Sequence, residues 1–523
     1  MKRRFPEVSV TLVESPDVPI IGVGEATTTL MPPFLHGQLG IDAAELFAAV
    51  KPTFKLGIRF EWGAPGDYWF TYPFGDADPV EAYAFERDLR QQSFVSMLMN
   101  DDRAPVLRDE SGALRSLLTQ VKFAYHLDNA PFVRFLARTA AQADVAHVAM
   151  TIDRVERTAD GEGIAAVHDR DGREVRSDFF VDATGFRSLL LEDTLGSPFE
   201  SWASTLFCDR AIVATVPQPG PVRPYTTAET MDAGWCWRIP VEGEDHRGYV
   251  HASAFLDEDA AVDEMRARNP GMGDPWVVRF RSGRHRDFWR GNTVAVGNAY
   301  GFVEPLESTA LHMVIIELAY LLAGLAAMDD PADDGTYPSF ANGAVGGHWD
   351  YLRWFLGVHY KFNRRRETPF WEAARADVSG LQHVLDRFLR DGPELDADGR
   401  RYVVGDPAFG YSGLTMMLLG QHAPGPVKPR GRLDRAGWEA RVAAQRSMVR
   451  TALPHGEALA ALRANPAMLA ELMSSPASWC HGDAERVVLP PRGREVMHPR
   501  SNLRSEAATD WLLRPVGYRG STR

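Results

Sequence analysis

From Phe54 to Trp62 the chain alternates without a break, with Phe54, Leu56, Ile58, Phe60 and Trp62 on one side and Lys55, Gly57, Arg59 and Glu61 on the other. A period of two predicts one strand, and it puts Lys55 on the wet side of a sheet as an ordinary surface charge. Val8 to Val13 is a short β-branched run that ends on an acid, Glu14. In a dinucleotide-binding fold an acid at that place bonds the adenosine ribose, but many strands end in an acid. Tyr125-His126-Leu127-Asp128 predicts a turn into an amphipathic helix around Phe132 to Leu136, with His126 either a substrate-side group or a structural turn histidine. Between Val148 and Phe180, Asp160-Gly161 and Asp171-Gly172 mark hairpins between short strands. Ser201 to Phe288 predicts a second sheet, with Trp235, Trp237 and Ile239 alternating along one strand. Past Pro331 the pattern turns helical over Trp349 to Arg366, Phe370 to Arg375 and Leu381 to Leu389, with Lys361 to Arg366 as a solvated basic face. Pro424 to Arg432 is a linker before a last helical block, Trp438 to Met473, and the Arg-rich stretch after Pro490 is expected to be poorly ordered.

Composition narrows the classes. A chain of 523 residues with 45% hydrophobic content suits a multidomain globular enzyme. The longest apolar run, Leu311 to Met328, contains His312 and Glu317, which fits a buried helix better than a membrane span. A net charge of -13 argues against nucleic acid as a partner. Three widely spaced cysteines give no metal pattern, and with no secretory pattern in Met1 to Glu7 they point to the cytoplasm. No Gly-x-Ser-x-Gly, His-Glu-x-x-His or Walker loop is present, although Gly410-Tyr411-Ser412-Gly413 comes near the first.

The densest chemistry lies in Gly297-Asn-Ala-Tyr-Gly-Phe-Val-Glu-Pro-Leu-Glu-Ser-Thr-Ala-Leu311. It is introduced by the strand-like Thr293 to Val296 and followed by the long apolar segment, so it predicts strand, loop and helix. Such a loop points backbone N–H groups at whatever sits before the helix, which favours anions, although an ordinary strand-to-helix connection has the same shape. The string Glu-Pro-Leu-Glu-Ser-Thr after Gly-Asn-Ala-x-Gly-Phe resembles the flavin-dependent halogenases of the tryptophan-halogenase family. Gly22-Val23-Gly24-Glu25-Ala26-Thr27 looks like their flavin strap, Trp235-Cys-Trp-Arg-Ile-Pro240 like their Trp-x-Trp-x-Ile-Pro signature, and Val181-Asp-Ala-Thr-Gly-Phe-Arg187 like the second cofactor motif of flavin monooxygenases.

That resemblance implies an α/β fold. A Rossmann-like FAD-binding domain is expected over 1–60, 125–195 and 285–330, an inserted β-sheet over 61–124 and 196–284, and a helical C-terminal region over 331–523. FAD contacts are expected from Glu14, Gly22, Gly24, Glu25, Ala26, Asp182, Gly185, Asn298 and Leu311. The expected activity is that of an oxidoreductase in which reduced FAD from a separate flavin reductase, oxygen and chloride or bromide yield hypohalous acid. Backbone N–H groups of Thr309 and Ala310 would hold the halide. Lys55 would orient the oxidant by hydrogen bonding or as a chloramine. Glu307 would take the ring proton of an indole- or tryptophan-like substrate, or merely complement the helix dipole. Ser308 and His126 fall on the substrate side, and a homodimer is the expected assembly.

Two departures bear on these expectations. Ala310 stands where the family usually has glycine, and its methyl would narrow the halide pocket. Only seven residues precede Val8 and none is glycine, so the strand and Gly-x-Gly-x-x-Gly turn that hold the diphosphate are missing. We therefore expect roughly 25–30 further residues upstream, the size of a strand-turn-helix unit. The alternatives are a monooxygenase of the same fold, or a relative that has lost flavin and serves as a binding protein.

Overall fold

The computed structural model describes residues 1–18, 24–75, 77–218, 220–328, 335–376, 382–391, 410–427, 433–475 and 478–480. Gly22, Leu381, part of the Pro424 to Arg432 linker and the stretch after Pro490 lie outside them. The architecture is mixed α/β, as expected.

Parallel pairing occurs at three places among the described residues, one of them between Gly57–Glu61 and Thr226–Met231. Thr11–Glu14 runs parallel to Ala146–Ala149, and Phe180–Asp182 runs parallel to Thr293–Ala295. The first strand begins at Thr11 rather than Val8. Both aspartyl-glycine hairpins form, giving the antiparallel strands Arg154–Arg157, Ile164–His168 and Glu174–Arg176. The largest sheet has seven strands in the order Trp276–Arg279, Arg210–Pro217, Glu244–His251, Gly234–Val241, Thr226–Met231, Gly57–Glu61 and Phe70–Pro73. Trp235, Trp237 and Ile239 share one face of it and enter the main core, while Cys236 faces a smaller cluster with Tyr249 and Met265. A period of two in a strand requires this division.

The single strand expected from Phe54 to Trp62 is two strands in two sheets. Thr53–Lys55 pairs with Ala124–Leu127, and Gly57–Glu61 pairs with Thr226–Met231 and Phe70–Pro73. Between them Leu56 leaves both ladders: its N–H donates to Pro224 O at 2.7 Å and its carbonyl accepts from Phe74 N at 2.8 Å. Alternation survives the break, so the apolar residues stay buried, but Lys55 does not face water. It is 0% exposed.

Other boundaries move for local reasons. Ala124–Leu127 is a strand, not a turn; Asp128 then caps the helix Asn129–Gln142 by accepting from Ala130 N. The long C-terminal helix starts earlier, at Tyr337, and ends at Lys361. The basic run that follows is therefore not a helical face. Asn363 in it is buried, and its side chain accepts from Gly63 N and donates to Thr230 Oγ1. The last helical block is broken by the strand Ala452–Pro454, which pairs with Arg103–Arg108.

The apolar run forms the helix Thr309–Met328, long and apolar enough by composition to cross a membrane. In the fold it packs against Tyr337–Lys361, with His312 and Glu317 buried along it. This helix and the loop before it position the site.

Candidate active site

The loop between Ala295 and Thr309 is fixed at its start by the helix that follows it. Gly297, at φ +58°, donates its N–H to Glu317 Oε2 at 2.6 Å, and Trp349 Nε1 donates to Glu317 Oε1 at 3.0 Å. Burial pushes the Glu317 carboxyl up to about 8. Glu304 is also fully buried; it accepts the Tyr360 hydroxyl at 2.6 Å, and burial raises it to about 7.

At the end of the loop the chain brings Lys55, Glu307, Ser308 and Thr309 together. Lys55 Nζ donates to Ser308 Oγ at 2.6 Å and to Thr27 O at 3.0 Å, and it lies 5.4 Å from the centre of the Phe74 ring. Desolvation lowers this lysine to about 7, and the nearby charge of Glu307 opposes that shift. At neutral pH the amine thus exists both as a donor and as a free base. The hydroxyl of Ser308, rather than the Glu307 carboxylate, takes the hydrogen bond. Ser308 holds φ +59°, a left-handed conformation that costs a non-glycine residue energy. That strain sits beside the lysine, where it aims the hydroxyl.

Glu307 is buried and turned to the long helix. Its Oε1 lies 2.5 Å from His359 Nε2, while His359 Nδ1 lies 2.7 Å from Phe355 O. A carbonyl can only accept, so Nδ1 carries a hydrogen. Nε2 then faces Glu307 Oε1, and the two side chains form one buried hydrogen-bonded unit.

Thr309 opens the helix. The first N–H groups of a helix have no partner within it, and the Thr309 Oγ1 is buried and unpaired among the described residues. Ala310 and Leu311 follow, both half-buried. Donors, dipole and an unsatisfied hydroxyl converge there, which suits a small anion.

The residues expected at the cofactor lie apart from this cluster in kind. Glu14 ends its strand half-exposed, 2.9 Å from His147 Nε2. Gly185, at φ +69°, has open space where a Cβ would stand, and Asn298 is exposed in the turn after Gly297. These positions leave bare backbone and polar groups for a flat ligand, so they fit a flavin. Asp182 is spent within the protein: one oxygen accepts from Thr184 and the other from the N–H groups of Leu190 and Leu191. It shapes the turn holding Gly185. Glu25 pairs with Leu127 and is raised by burial to about 7; Ala26 is buried opposite His126. At Gly24 a Cβ would meet the His246 ring at 2.5 Å.

His126, expected as a substrate-side group or a structural turn histidine, is wholly buried in a strand rather than a turn, its ring nitrogens 3.1 Å from Thr53 Oγ1 and 3.0 Å from Thr226 Oγ1, and burial lowers its pKa. It ties two sheets together behind Lys55. The residues sequence reading overlooked are His359, Thr27, Glu304 and Phe74. For His359 a signal existed: Phe355 and His359 stand four apart in a predicted helix, on the buried face.

A model of the tryptophan halogenase family matches residues 1–430. Tryptophan 7-halogenase RebH of Lentzea aerocolonigenes is 31% identical over 417 residues, 74% of this chain and 78% of its own length. Among solved structures, MibH, a lanthipeptide tryptophan 5-halogenase, is 44% identical with a TM-score of 0.86, over 93% of this chain and 94% of that one. Tar14, a tryptophan C-6 flavin-dependent halogenase (chlorinase) from taromycin biosynthesis, is 26% identical with a TM-score of 0.79, over 88% and 96%.

Proposed function

We propose, for a chain that belongs to the tryptophan halogenase family, flavin-dependent halogenation of an aromatic carbon in a tryptophan-like substrate. The observation that carries the assignment of roles is the meeting of Lys55 and Glu307, both buried, on either side of Ser308.

Bound FAD, reduced by a separate reductase, supplies the oxygen chemistry that turns halide into hypohalous acid. Gly185, Gly297, Asn298 and Glu14 would hold it. The N–H groups that open the Thr309 helix would hold chloride or bromide. The chain's own groups do the rest. Lys55, as an ammonium, donates to the oxygen of the hypohalous acid and so strengthens its leaving character. The carbon–halogen bond forms from the ring's electrons, the halogen–oxygen bond breaks, and the oxygen leaves as water with the proton from Lys55. Glu307 accepts the ring proton, the electron pair of that C–H bond restores the aromatic ring, and His359 shares the proton. Burial of every group in this set keeps water from consuming the oxidant.

The experiment is an assay of purified chain with flavin reductase, FAD, NADH, bromide and indole, read by product mass. Bromoindole is the expected product, and Lys55→Met is expected to yield none while flavin reoxidation continues. A hydroxylated product, or bromoindole from the Lys55 variant at the wild-type rate, would overturn the proposal.

A further inference from the structure

The strand that carries Lys55 is short and pairs on one side only, Thr53–Lys55 against Ala124–Leu127 at the edge of a three-stranded sheet. Its other edge would leave the Phe54 N–H bare inside the core, and a buried donor without an acceptor costs stability. The acceptor comes from a distant part of the chain. Phe54 N donates to Nε2 of His455, the first residue of the helix His455–Arg463, at 3.2 Å, and His455 Nδ1 lies 3.1 Å from Val222 O. A backbone N–H can only donate and a carbonyl can only accept, so the ring is neutral, with a bare Nε2 and a hydrogen on Nδ1. The histidine is itself held: it is buried, and its backbone N–H donates to Asp102 O at 3.0 Å.

The imidazole stands where a direct backbone bond would otherwise form. Val222 to Pro224 leads into Thr226–Met231, the strand that runs parallel to Gly57–Glu61. At Leu56 the two chains are joined directly, through the 2.7 Å bond to Pro224 O. Two residues earlier on each, at Phe54 and Val222, the ring of His455 lies between the N–H and the carbonyl. A ring is wider than a hydrogen bond, so the chains must part there. The segment before Leu56 then turns toward Ala124–Leu127, and Lys55, which stands between the two tethered N–H groups, reaches Thr27 O and Ser308 Oγ. Around the ring, Arg463 on its own helix and His126 on the paired strand are the titratable neighbours; burial and Arg463 hold the imidazole to about 4, below the range in which Lys55 titrates.

We propose that His455 is a positioning residue for Lys55: its imidazole, wedged between Phe54 N–H and Val222 O, sets the angle at which the lysine strand leaves the large sheet and so delivers the amine to Ser308. The consequence for turnover rests on the halogenase reading; the placement of the amine does not.

The test reads the amine directly. The chain has six lysines, so with carbon-13 at the lysine ε positions the NMR signal missing from Lys55→Met identifies Lys55. Its midpoint is expected at about 7 in wild type and above about 8 in His455→Phe, where a displaced amine regains water. With reductase, FAD, bromide and indole, the same variant is expected to lose about ten-fold or more in kcat with little change in KM. His455→Gln, which has both an acceptor and a donor on one amide, should recover part of each. A Lys55 midpoint that stays at its wild-type value overturns the proposal, whatever happens to kcat or to the melting temperature, and so does a moved midpoint with unchanged kcat. If wild type makes no product, the halogenase reading fails and the midpoint alone decides the placement. If His455→Phe gives no soluble protein, His455→Asn takes its place, since it keeps a donor for Val222 O and loses the acceptor for Phe54; an unmoved Lys55 there overturns the proposal equally.

Discussion

Replacing Lys55 with methionine should abolish halogenation and at the same time remove a pH-dependent cost to stability. The native ammonium is held down to about 7 from 10.5 by burial, so folding at pH 7 works against that shift. By linkage the cost is about 4 kcal/mol at pH 7. Lys55→Met keeps the length of the chain and removes the charge. It also removes the donor to Thr27 O and Ser308 Oγ, leaving two buried acceptors at a loss of about 1–3 kcal/mol each. The two effects are of similar size, so the variant should lie within about 2 kcal/mol of wild type at pH 7. The sign with pH follows from the proton count. Between about 7 and 10.5 the unfolded lysine keeps a proton that the native one has lost, so the wild type gains stability as pH rises through that window. Below it both states hold the proton and the difference is constant. Denaturant unfolding of both proteins at pH 6.5, 8 and 10 measures the effect. Relative to wild type the methionine variant should lose about 4 kcal/mol between pH 6.5 and pH 10. A gap that ignores pH would refute the desolvated lysine and with it the amine that switches between donor and base at neutral pH.

Two further outcomes follow from the same site. His359→Leu should lower kcat for halogenation by about ten- to a hundred-fold with little change in KM, and His359→Gln should recover only part of it, since an amide can hold Glu307 but cannot take its proton; an unchanged kcat in the leucine variant would end the proton-sharing role. Glu304 has a native carboxyl raised to about 7 from 4.5, so its stabilising proton is fully present below 4.5 and lost as pH rises through 7. Glu304→Gln, which keeps an acceptor for Tyr360, should then be more stable than wild type by about 3 kcal/mol at pH 8 and little different at pH 4.5; urea curves with equal spacing at both pH values would contradict it.

Much of this was legible from sequence because it depends on local rules. Alternation predicted which of Phe54 to Trp62 would be buried, the aspartyl-glycine pairs marked real hairpins, and the apolar run became the helix that closes the site. Lys55 marks the limit. Periodicity assigns a face, and a face is wet only if nothing lies over it. Here Leu56 breaks the strand and hands its N–H to Pro224, so the lysine drops between two sheets under the Ser308 loop. Only a contact 253 positions away could show that. His359 was hidden for the same reason: its helix was expected, but its partner Glu307 lies 52 positions earlier. The family string pointed to Lys55, Glu307 and Ser308 without geometry, and the geometry then supplied Thr27 and His359.

The costs in this structure are concentrated rather than scattered. A desolvated lysine, carboxyls at 304 and 317 raised by burial, and a serine in left-handed backbone all lie on or beside the loop from Gly297 to Thr309. A fold under selection for stability alone would replace the ammonium with a methylene chain and place glycine at position 308. In the proposed halogenation the cost at the lysine serves a requirement. A hypohalous oxidant must meet a donor whose proton is loosely held, and an acid beside it must take a proton with no water to carry it away. Lowering the lysine toward neutrality makes the first, and pairing Glu307 with His359 makes the second. Neither works if the groups are solvated, so the burial that destabilises the protein is also what makes the two side chains useful to each other.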